Sequence, residues 1–85
     1  MEYLNSLINA AQAILDNRFD VQAFLSWRNI ALLTLLSLLG PLHYYTQTFK
    51  RVTSEQDSQS LLAGEGVLIA AKEEILKAGN PSNIG

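Results

Sequence analysis

The chain has 85 residues, with six Lys or Arg against eight Asp or Glu, one histidine and no cysteine. That length allows one membrane-organised unit and leaves little for a water-soluble core beside it. The near-balanced charge offers no basic patch for nucleic acid or anionic lipid, and the missing cysteines exclude disulfides, Fe–S clusters, thiolate zinc and thiol nucleophiles.

Residues 3–16 place Leu4, Leu7, Ile8, Ala11, Ile14 and Leu15 at helical spacing, with Asn5, Ser6, Asn9 and Gln12 opposite. The polar face is amide-rich and carries no Lys or Arg, which suits a protein neighbour or a quiet position at headgroup level. Asp16 to Asp20 reads as a turn, and Asp20 is the expected N-cap of a helix beginning near Val21.

The stretch from 29 to 49, NIALLTLLSLLGPLHYYTQTF, carries no formal charge and is flanked by Arg28 and by Lys50-Arg51. As one helix it is about 31 Å long, close to the hydrocarbon thickness of a bilayer. Trp27 at its start and Tyr44, Tyr45 and Phe49 near its end fit the two headgroup zones. The spacing predicts a single transmembrane helix. The alternative is a buried core helix, disfavoured because so short a chain has little to surround it. A signal peptide is disfavoured by the late start of the apolar run and by bulky residues where a cleavage site would stand. Gly40-Pro41 predicts a kink near residues 37–40, with the hydroxyl of Ser37 or Thr34 available to a freed carbonyl. His43 is the one ionisable residue of this stretch besides the tyrosines. It is either an interfacial hydrogen-bonding group or, with Gly40 giving room, a ligand for chlorophyll or haem.

After Lys50-Arg51 comes a polar segment. Leu61, Leu68 and Ile75 then recur at intervals of seven, as do Leu62, Ile69 and Leu76. These six residues form the expected partner-binding stripe, with Glu65, Lys72, Glu73 and Lys77 on the other side. Asp57, Ser58 and Ser60 are cap candidates, and Gly79-Asn80-Pro81 is a stop signal. Gly64-Glu65-Gly66 leaves open a break that would start the helix at Val67. No phosphate loop and no catalytic constellation emerges, so an enzyme is not expected.

The expected fold is therefore all-α. An amphipathic N-terminal helix and turn (1–19) precede a transmembrane helix with extramembrane first turns (20–50). A polar linker (51–60) and an amphipathic C-terminal helix with a short tail (61–85) follow. Through WRNIALLTLLSLLGPLHYY and LLAGEGVLIAAKEEIL, this layout resembles small single-span accessory subunits of photosynthetic, especially cyanobacterial, membrane complexes and their respiratory counterparts. Ser26 stands where the light-harvesting pigment pattern has Glu, three residues before Asn29. The resemblance implies a structural or assembly role beside larger integral membrane subunits and lipid, in a thylakoid-type membrane. The other function classes are a cofactor-carrying subunit using His43 and a holin- or toxin-like membrane-active protein, the latter disfavoured because no small-residue packing motif surrounds Gly40. The juxtamembrane pair Lys50-Arg51 favours a cytoplasmic or stromal C-terminus.

Overall fold

Asp20, in extended backbone geometry, accepts a hydrogen bond from the Gln22 amide and caps a helix at Val21–Leu39, as expected from the sequence. In the computed structural model, which describes residues 2–78, this is the second of four α-helices: α1 Glu2–Asp16, α2 Val21–Leu39, α3 Tyr44–Val52 and α4 Ser58–Ala78. The fold class is all-α, with no strand among the described residues. By length and composition α2 is apolar enough to cross a membrane, and a buried core helix passes the same test.

The uncharged stretch is not one helix. Gly40 ends α2 with φ 90° and ψ 163°, a backbone region open essentially to glycine alone, and its amide donates to the Leu36 carbonyl. Pro41 then cannot continue the ladder. The chain reverses over residues 40–43, and α3 returns along α2. The expected kinked span over 20–50 is corrected accordingly: the Gly-Pro pair terminates the helix. The Thr34 hydroxyl donates to its own Ile30 carbonyl, 2.8 Å away, and so serves the intact helix.

Short connections at 17–20, 40–43 and 53–57 make consecutive helices antiparallel neighbours. α1 packs on α2 and α4, and α3 packs on the same two helices, so α2 and α4 lie on a diagonal. The core draws on every helix: Leu4, Leu7 and Ala11 from α1, Phe24, Trp27, Ala31 and Leu35 from α2, Phe49 from α3, and Leu61, Leu68 and Ala71 from α4. The expectation that so short a chain could not surround its apolar helix is therefore wrong for the inner face of α2, because the three other helices cover it.

Trp27 is the hub of the packing. Its ring lies 5.6 Å from Phe49 and 6.1 Å from Phe24, centroid to centroid, and its Nε1–H donates to the Leu7 carbonyl at 2.8 Å. Next to it, Arg28 Nε donates to Thr53 Oγ1 at 3.2 Å, tying the middle of α2 to the C-cap of α3. The tryptophan expected in a headgroup zone is thus an interior residue.

Gly64 explains why α4 approaches this hub so closely. A Cβ there would fall 2.6 Å from Thr53 Cγ2 and 3.0 Å from both Phe49 and Trp27. The glycine that raised the alternative of a break is a packing residue inside an unbroken helix. α4 begins earlier than the expected residue 61: Asp57 Oδ1 accepts from the Ser60 amide and starts it near Ser58. The stop signal at residues 79–81 and the tail lie outside the described residues.

The antiparallel order separates the bundle's two ends. Connections 17–20 and 53–57, with exposed Asp16, Arg18, Asp20, Arg51, Glu55 and Asp57, share one end. The start of α1, the 40–43 turn and the end of α4 share the other.

Candidate functional site

The residues expected to form one partner stripe on α4 divide between two surfaces. Leu61 and Leu68 are fully buried in the chain's own core, and Ile75 is half-buried against it. Leu62, Ile69 and Leu76 remain exposed on a second stripe of the same helix. The two heptad series are offset by one residue, about 100° around a helix, so only one faces inward. Leu68 is consequently no surface anchor, and the expectation that the whole stripe must seek an outside partner is corrected.

Glu65, expected on the solvated side, is also buried, only 6% exposed. Its carboxylate accepts a hydrogen bond from Gln12 Nε2 of α1. This joins α4 to α1 through a polar contact at the edge of an otherwise apolar seam. Sequence reading missed it because a glutamate between two glycines looks like a surface residue; the amide-rich face of α1 was the one available signal. Thr46 is fully buried, and its hydroxyl has no hydrogen-bond partner among the described residues.

His43 is the N-cap of α3. Its Nδ1 accepts from the Tyr45 amide at 3.0 Å, and its ring lies 5.4 Å from that of Tyr45. An accepting Nδ1 places the proton of the neutral ring on Nε2, which then donates and has no lone pair for a metal. An axial ligand to chlorophyll or haem would require the opposite arrangement, with the cap broken. Among the described residues no three His, Asp or Glu side chains gather in a metal-holding group.

The third surface belongs to α2 and the turn. Ile30, Leu33, Leu38, Leu42 and Tyr44 are all exposed, Leu42 at 84% and Tyr44 at 70%. They fall within the one long segment that carries no formal charge. The outer face of α2 changes character along its length: Gln22, Ser26 and Asn29 come first, then Ile30 and Leu33.

No protein-family model matches the chain, and neither curated proteins nor solved structures include a match.

Proposed function

We propose that the chain is a non-catalytic accessory subunit of a larger membrane assembly, a folded spacer that lies between an apolar environment and a protein neighbour. The observation that carries this reading is the exposed apolar surface of α2 and the 40–43 turn. It remains uncovered although the bundle already has a core of its own. Soluble monomers rarely leave large contiguous apolar surface open, and such surface marks contact with a membrane or a partner. The outer stripe Leu62, Ile69 and Leu76 is the part of α4 left to meet a larger subunit.

The reading of α2 as a full membrane crossing has less support than seating beside the membrane. A crossing helix would need Phe24, Trp27, Ala31 and Leu35 to give up their partners on α1, α3 and α4. The resemblance to photosynthetic subunits rests on a layout of one span between two amphipathic helices, and α2 ends at Gly40, so the proposal names no particular membrane.

Fractionation of source cells followed by native purification in mild detergent tests the proposal. The chain should sediment with membranes and co-purify stoichiometrically with larger proteins. Changing Leu62 and Ile69 together to Glu should release it while leaving its folding intact, since both side chains are exposed. A chain recovered only as a free soluble monomer would overturn the reading.

A further inference from the structure

We infer that α3 is a displaceable lid: it lifts from α1, α2 and α4 as a unit and uncovers an apolar groove beneath it. This goes beyond the accessory-subunit reading and does not depend on it.

α3 is the least anchored of the four helices. It is nine residues long, and helices this short are marginal in water without packing. It places one apolar side chain, Phe49, in the buried core, where α1 and α4 place three each and α2 four. The other residues buried on α3 and its C-cap are threonines, Thr46 and Thr53. The Thr46 hydroxyl has no partner among the described residues, and water reaching it on opening would remove that cost. Among the described residues, one side-chain hydrogen bond joins α3 or its caps to another helix, from Arg28 Nε to Thr53 Oγ1. Segments with so little buried apolar surface are the ones that open locally.

Both neighbours in the chain are complete without α3. α2 closes on the bond from the Gly40 amide to the Leu36 carbonyl, and α4 starts on the bond from the Ser60 amide to Asp57 Oδ1. The lid carries its own caps: the His43 ring holds the Tyr45 amide, and the Thr53 amide donates to the Phe49 carbonyl. Gly40, whose backbone range is wide, supplies one pivot, and the exposed residues 54–57 supply the other. Tyr44, Gln47, Lys50 and Arg51 already face water, so the main apolar loss on lifting is Phe49.

The remainder holds together. α1 packs on both α2 and α4. Trp27 Nε1–H donates to the Leu7 carbonyl, and Gln12 donates to Glu65, so both ties bypass α3. The site that α3 vacates is a groove between α2 and α4, about 14 Å long for nine residues of helix. Trp27 forms its wall and Gly64 its floor. A Cβ at Gly64 would lie 3.0 Å from Phe49 and 2.6 Å from Thr53, so the glycine makes the groove deep enough to seat α3. While α3 is down, the groove is hidden.

Native-state hydrogen exchange on the full chain, in urea too dilute to unfold it, tests the inference. The backbone amides of residues 47–53 should exchange as one group. Their shared protection should be at least about tenfold below that of the slowest amides of α1, α2 and α4, with a shallow urea dependence. Thiol labelling gives a second readout, because the chain has no cysteine and Thr46→Cys nearly preserves the buried shape. That thiol should react at least about tenfold faster than the chain unfolds globally. Amides of 47–53 that share the protection and steep urea dependence of the other helices would overturn the lid. Protection graded inward from the ends of α3 would overturn it too, since that is fraying and not a unit lifting. Labelling of Thr46→Cys no faster than global unfolding would have the same meaning.

Discussion

The rings of Trp27 and Phe49 lie 5.6 Å apart, although a continuous helix would hold these positions about 33 Å from each other. That contact exists because Gly40 and Pro41 reverse the chain between them. It also places Gly64 of α4 against both rings, so three helices meet at one point and the fourth, α1, reaches it through the Leu7 carbonyl.

The two glycines of α4 should therefore respond in opposite directions to the same substitution. Gly64→Ala forces a methyl into contact with Thr53, Phe49 and Trp27, and should destabilise the fold by roughly 1–3 kcal/mol. Gly66→Ala meets nothing within 4 Å and should stabilise it by about 0.5–1 kcal/mol, the helix preference of alanine over glycine. Urea unfolding followed by tryptophan fluorescence reads both. Equal effects of the two substitutions would show that α4 does not pack on the Trp27–Phe49 pair.

Thr46 should be improvable. Its hydroxyl is fully buried without a partner among the described residues, and valine has nearly the same shape without the polar atom. Thr46→Val should raise stability by roughly 1 kcal/mol by removing the burial cost of an unpaired hydroxyl. A loss of stability in thermal unfolding would mean that the hydroxyl has a partner in solution.

Much of the local structure was legible in the sequence. Asp20 as a cap, the turn before it and the inward positions of α1 follow from spacing and cap chemistry. Asp57 starts α4 by the same logic, and all-α class follows from helical periodicity. The errors share one physical cause. Hydrophobicity and length describe a helix's surroundings equally well whether those are lipid or three other helices, so residues 29–49 read as a span. Tertiary packing decided between these environments through two residues with weak linear signals. Gly40 permits a backbone conformation that no pattern of apolar residues announces, and Gly64 looks like a helix breaker until its neighbours are known. The candidate surface was legible in part. Leu62, Ile69 and Leu76 were included in a stripe twice too broad, while Leu42 and Tyr44 were absorbed into a helix that stops before them.

His43 should behave as a helix cap. His43→Ala removes the acceptor for the Tyr45 amide and should cost about 1 kcal/mol, whereas His43→Asn, which retains a side-chain acceptor, should recover most of it. Circular dichroism through thermal unfolding would separate the two. If alanine and asparagine are equally tolerated, the cap contributes nothing and the imidazole is free for another role.

The reversal at residues 40–43 underlies the core, and it can be measured directly. Ser26 and Lys50 are exposed, and the chain contains no native cysteine, so spin labels at Ser26→Cys and Lys50→Cys attach at those two sites alone. Electron–electron distance measurements should be made on the labelled chain bound to vesicles. Packed neighbouring helices put the label pair roughly 10–20 Å apart once label arms are allowed for. A distribution centred near 36 Å, the rise of one uninterrupted helix between the two sites, would contradict the hairpin and restore the single membrane span.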